Sequence, residues 1–204
     1  MLSFVMTTVG LSLSGVMAPG PMTASAIEAG SRRPLAGLWM ALGHAIVEGP
    51  LMVAMALGVG AWLQAPLAKA IIGGLGGAML ILLGVLILRG LRQADVRQAD
   101  RKPMSPLLVG IMMSGGNPYF LIWWATVGLT LTTRAIDYGA WAFVLFGVIH
   151  WLCDLVWLQA LSTASYYGAG LAGRGGQQVV RGLCGAALLY FGGQFLYDVG
   201  RTLI

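Results

Sequence analysis

Six apolar stretches run through this chain, each long enough to cross a bilayer, and they constrain its fold more than any other feature. They lie at about 4–27, 35–63, 67–89, 105–131, 139–163 and 178–200. At ~1.5 Å of rise per residue, about 20 helical residues cross the ~30 Å hydrocarbon core. Of the 204 residues, 58% are hydrophobic and only 9% are charged, whereas a soluble domain carries roughly 25% charge. A soluble fold of this size cannot bury that much apolar surface. The pattern therefore predicts an all-α, polytopic protein of six transmembrane helices, with the lipid bilayer as its solvent.

The charged residues predict how the chain is threaded. Arg32 and Arg33 separate the first two runs. Arg89, Arg92, Arg97, Arg101 and Lys102 separate the third and fourth, and Arg174 and Arg181 the fifth and sixth. The other side carries only Lys69, Arg134 and Arg201. Basic residues collect in cytoplasmic loops, so these three connections are expected in the cytoplasm and both termini outside, in a multi-pass protein of the cell (plasma) membrane. A re-entrant first segment would instead move the N-terminus inside. Met1 to Ile27 has no basic residue ahead of its apolar core and is followed by Arg32–Arg33, an order that fits a first membrane helix better than a cleaved signal.

Other function classes are excluded on composition and motif. The net charge of +5 is explained by the loops, and no basic stripe interleaved with aromatics suggests nucleic acid. Cys153 and Cys184 both sit in apolar runs with no metal or redox spacing. No nucleophile–His–acid set, phosphate loop or dinucleotide fingerprint is present. Neither an enzyme nor a cofactor is expected.

The runs fall into two related halves. Pro19 stands in Ala-Pro-Gly-Pro at 18–21, and Pro118 in Gly-Gly-Asn-Pro at 115–118, each interrupting an apolar run. The next run of each half carries His-x-x-x-acid, as His44…Glu48 and His150…Asp154. The third carries Gly-Ala-x-Leu-x-x-x-Gly, as Gly77…Gly84 and Gly185…Gly192. The chain has two histidines in all, and both fall in the repeated motif. The expected organisation is a first three-helix repeat at 1–90, a cytoplasmic linker at 91–105 and a second repeat at 106–204. Three crossings per half insert the second half upside down, the inverted-repeat plan of many secondary transporters. The first and fourth helices are expected to break at their prolines.

Glu48 and Asp154 are the sharpest functional candidates. A carboxylate at mid-bilayer costs ~2.5–3.5 kcal/mol on insertion scales, so a proton, a partner or a watery cavity must offset it. The structural alternative is a protonated carboxyl that only ties helices together. His44 and His150 precede the acids by four positions and share a helix face with them; imidazole can relay protons near neutral pH. Breaks at Pro19, Gly20, Pro21 and Pro118 expose backbone N–H groups that suit a substrate carboxylate, and Asn117 adds a donor and an acceptor. Ser114, Thr23 and Ser25 are softer candidates. Trp123, Trp124, Trp151 and Trp157 suit either a pathway wall or ordinary packing. His44, Glu48, His150 and Asp154 also form a plausible ligand set for a divalent metal. The Gly73-x-x-x-Gly77 pattern suits close helix or protomer packing in a structural protein.

Pro19-Gly20-Pro21, Asn117-Pro118, and Gly30 and Gly37 around Arg32–Arg33 give the chain a further meaning: it resembles the LysE-type amino-acid exporter family over nearly its whole length. That resemblance implies export of amino acids or related small metabolites, driven by the proton gradient, and a homodimer. It also brings in the broader superfamily's divalent metal-ion exporters as the alternative. The chain departs from the family pattern at Met22, where Asn or Asp is common, at Tyr119, where Lys is common, and in its paired His-x-x-x-acid motif.

Overall fold

A computed structural model describes residues 2–18, 20–59, 65–92 and 104–203 of the chain, and among these there is no strand. The helices are α1 (Leu2–Val16), α2 (Pro21–Gly30), α3 (Ala36–Ala56), α4 (Pro66–Arg92), α5 (Pro106–Gly115), α6 (Pro118–Trp123), a π-helical turn (Trp124–Gly128), α7 (Leu129–Asp137) and α8 (Ala140–Leu203). Four of them open on a proline. Proline suits that position because its φ is already helical and the missing N–H would have no partner there. Ser105 caps α5 by accepting the Leu108 N–H at 3.3 Å.

By length and composition, α3, α4 and the Ala140–Gly168 arm of α8 can each cross a membrane. Helices α1 and α2 pass the same test as a pair, with their axes bent by 75°. Pro19, in the break between them, lies outside the described residues, as does most of the linker expected at 91–105. Large apolar side chains point outward, among them Leu57, Leu75 and Trp141, as expected where the surroundings are hydrocarbon.

The sequence predicts two helices and a basic loop where α8 carries helical backbone without interruption. No proline falls between Ala140 and Leu203 to forbid it. A straight helix of 64 residues would be ~96 Å long. Yet Leu158 and Leu188 belong to two apolar clusters that share Met22 and Val109, whereas on one axis they would stand ~45 Å apart. The chain therefore reverses direction between them, and α8 consists of two arms. Its second arm runs antiparallel to α4 at very short range: a Cβ on Gly77 would stand 3.0 Å from the Gly192 carbonyl oxygen, and one on Gly84 2.9 Å from that of Gly185.

The two ends of the bundle differ. One gathers Phe4, Met55, Leu131, Ala135 and Phe146. At the other, Glu28, Arg32, Arg33, Gly90 and Met104 surround a cavity of about 280 Å³, and Glu28 pairs with Arg32 at 2.5 Å.

Candidate functional site

The centre of the bundle is set by how closely α3 can approach α5. A Cβ at Gly43 would run into the Leu107 carbonyl, and one at Gly110 into the Met40 carbonyl. Glycine at both positions lets the helices touch backbone to backbone, as small residues do in membrane helices. That contact brings Ser114 of α5 against His44 of α3, with Nδ1 to Oγ at 2.6 Å. One turn later on α3, Glu48 presents Oε1 at 3.0 Å from His44 Nε2. From α8, His150 places its own Nε2 at 3.0 Å from the same oxygen. The second histidine is held like the first, with its Nδ1 at 2.8 Å from Ser12 Oγ of α1. Each histidine of one half thus leans on a serine of the other.

These contacts dictate a proton count. Ser114 donates its hydroxyl hydrogen to the Gly110 carbonyl at 2.6 Å, so it can only accept from His44, whose Nδ1 must carry a proton. Glu48 Oε1 faces two ring nitrogens at hydrogen-bond distance, and each such contact needs a proton between the atoms. The carboxyl oxygen can carry one at most, so at least one histidine supplies the other. The triad therefore holds a proton shared along nitrogen–oxygen lines in a nearly dry setting: the three side chains are at most 5% exposed.

Asp154 stands differently. Its Oδ1 is 3.7 Å from His44 Nε2 and its Oδ2 3.6 Å from His150 Nε2, near enough for attraction but too far for hydrogen bonds. The Oδ2 is buried with no hydrogen-bond partner. Asp154 lines a cavity of about 70 Å³ with Gly20, Thr23, His44, Asn117, Trp123 and His150. Glu48 instead lines a separate groove of about 340 Å³ with Met52, Gly147, Val148 and Trp151. Trp123 stacks on His150 with ring centres 4.9 Å apart, and Phe120 meets His44 edge-on at 5.0 Å. Trp124 meets His150 edge-on at 5.4 Å from the first position of the π-helical turn, a distortion often found at functional sites.

Of the residues singled out in the sequence, His44, Glu48, His150 and Asp154 come together, with Gly20 and Asn117 on the same cavity. Gly20 precedes α2 in extended conformation without a side-chain cap. Asn117 caps α6, its Oδ1 accepting the Tyr119 N–H at 3.1 Å. Pro21 and Pro118 are buried at the starts of α2 and α6; Pro19 is outside the described residues. Ser25 lines the other cavity instead, beside Arg32 and Arg33. Trp151 donates to the Ala41 carbonyl at 3.0 Å and so ties α8 to α3. Gly73 and Gly77 pack α4 on α8 within the chain. Sequence reasoning missed Ser12. Two positions from Ser14 in an equally apolar segment, it differs only in the face it occupies.

Ligand atoms of His44, Glu48 and Asp154 lie within 4.8 Å of one another, a spacing that could hold a metal ion. Both acids and one of the two histidines meet that spacing, so distance does not argue against a cation.

Three comparisons with known proteins bear on the site. The LysE type translocator family model matches residues 13–199. A protein of Bacillus subtilis (strain 168), provisionally named an amino acid efflux protein, YcgF, is 28% identical, with 96% of this chain and 95% of that protein covered. No solved structure matches the chain.

Proposed function

This chain belongs to the LysE type translocator family of membrane transporters, and on that premise we propose that it exports amino acids or related small metabolites in exchange for protons. The observation that carries the proposal is the meeting of two buried His-acid pairs, one from each half, beside a small cavity. Ionisable groups at that depth are costly and mark a pathway by default. The Bacillus subtilis relative's name supports an amino-acid substrate.

In this reading six spans form two inverted three-helix repeats: α1 with α2, α3 and α4, then α5 to α7 and the two arms of α8. The first and fourth spans break at their prolines, and the linker at 91–105 is cytoplasmic. Reciprocal contacts support the repeat: Gly77 packs on Gly192 and Gly84 on Gly185, while the histidines exchange serines across the halves. The N-terminus of α2, a ten-residue helix, receives the substrate carboxylate, helped by Asn117. The histidines and acids carry the ammonium and the proton, and inward and outward access alternate about them.

A second reading, export of a divalent metal ion, is favoured by one observation: the close spacing of the His44, Glu48 and Asp154 ligand atoms. It leaves unused the helix end at Gly20, whose N–H groups suit an anion. A thermal-shift screen of purified protein against amino acids and against zinc, manganese and nickel separates the two, because a ligand bound only by the folded state raises apparent stability. Stabilisation by one or more amino acids is expected. Stabilisation by metal alone would reverse the order of the two readings.

A further inference from the structure

Glu48 and Asp154 occupy equivalent places in the two repeats, yet their surroundings differ. Glu48 Oε1 is engaged by two ring nitrogens at 3.0 Å. Asp154 has the same two nitrogens near it, but at 3.6 and 3.7 Å, and keeps a buried oxygen with no partner. A proton lying between a histidine and Glu48 cannot also serve Asp154. A buried carboxylate left this way is unfavourable until a positive donor reaches it. Of the two acids, Asp154 lines the cavity at the Gly20 helix end, whereas Glu48 lines a separate groove.

We infer that the two carboxylates divide the work: Asp154 receives the primary ammonium of the substrate, and Glu48 holds the histidines' shared proton. The inference rests on the amino-acid reading of the site and sharpens it. The other walls of the cavity fit the same head group. Gly20 and Thr23, at the start of α2, offer the end where a carboxylate docks, and Trp123 and Phe120 present aromatic rings near the position of a cation. At about 70 Å³, the cavity is roughly half the size of one that takes benzene, so this state accommodates the head group of an amino acid rather than a large side chain. The charged or titratable neighbours of Asp154 are His44 and Glu48 from α3 and His150 and Cys153 from its own helix. A ligand that brings both an ammonium and a carboxylate leaves their net charge unchanged.

The test uses the full chain purified in detergent. A panel of the twenty common L-amino acids identifies the tightest ligand by calorimetry, and that ligand is compared with its des-amino carboxylic acid. Loss of one partner of a buried charge pair predicts about thirtyfold or greater preference for the amine-bearing form in the wild type. Asp154→Asn is expected to reduce that preference to within about twofold, and Glu48→Gln to retain it. Full preference in Asp154→Asn, or equal loss in Glu48→Gln, overturns the division of roles while leaving amino-acid export standing. A wild type that binds zinc chloride but none of the amino acids overturns the export reading and this inference together. Asp154→Ser serves as a second variant if the asparagine form does not purify. Ligand-induced infrared difference spectra of wild type provide a measure that needs no variant. Carboxylate bands labelled through ¹³C-aspartate should move and those labelled through ¹³C-glutamate should not; the reverse overturns the assignment.

Discussion

Replacing Glu48 with glutamine tests whether the central triad is an energetic unit. Glutamine keeps the volume and one acceptor oxygen but removes the charge. A hydrogen bond to a charged group contributes about 1.5–3 kcal/mol, and one between neutral groups about 0.5–1.5. Glu48 Oε1 makes two such contacts at 3.0 Å, so Glu48→Gln should cost about 2–3 kcal/mol. Glu48→Ala, which strands both ring nitrogens, should cost about 3–5. The matched control is Glu28→Gln. Glu28 pairs with Arg32, whose side chain is 39% exposed, and an ion pair in contact with solvent contributes only about 0–1 kcal/mol. Unfolding of detergent-solubilised protein, followed by helical circular dichroism, gives the three differences. A cycle that combines Glu48→Gln with His150→Gln should show a coupling of about 0.5–3 kcal/mol, as groups in one network do. If Glu48→Gln costs no more than Glu28→Gln, or if the Glu48 and His150 changes simply add, the shared-proton triad is wrong.

Three further outcomes follow from particular contacts. Ser114→Ala strands the His44 Nδ1 hydrogen that now points at its hydroxyl and should cost about 1–3 kcal/mol in the same unfolding assay, with Ser114→Thr recovering part of it. Gly43→Ala forces a Cβ into the Leu107 carbonyl and should cost about 1–3 kcal/mol. Gly49→Ala on the same helix meets nothing within 4 Å and should be neutral or stabilising by up to about 1 kcal/mol; equal effects at the two positions would refute the close α3–α5 approach. Cysteines placed at Arg33 and Arg89 should react with a membrane-impermeant thiol reagent only from the cytoplasmic side, and those at Gly58 and Tyr138 only from outside. Labelling of all four from one side would refute the threading.

Much of this arrangement is legible in the sequence, but unevenly. That His44 and Glu48 share a face, as do His150 and Asp154, follows from four-residue spacing on a helix. The start of α2 at Pro21 and of α6 at Pro118 follows from proline chemistry. Periodicity says nothing, however, about which helices abut. It therefore leaves the crosswise serine contacts invisible and cannot tell Ser12 from Ser14. The difference between the two acids is hidden too, because it lies in distances to the histidines of 3.0 Å for Glu48 against 3.6 and 3.7 Å for Asp154. The loop expected between the fifth and sixth runs rests on Arg174 and Arg181; the structure keeps helical backbone across both positions, yet its two arms run in opposite directions.

The central claim, that the buried His-acid cluster couples amino-acid export to protons, is tested most directly by watching both species in one vesicle. Proteoliposomes containing the chain, a radiolabelled amino acid from the binding panel and an internal pH dye would be given an inward proton gradient. The account predicts that label leaves and the interior acidifies together, and that Glu48→Gln and Asp154→Asn each abolish the joint movement. Label that leaves at the wild-type rate from vesicles carrying either variant would contradict it.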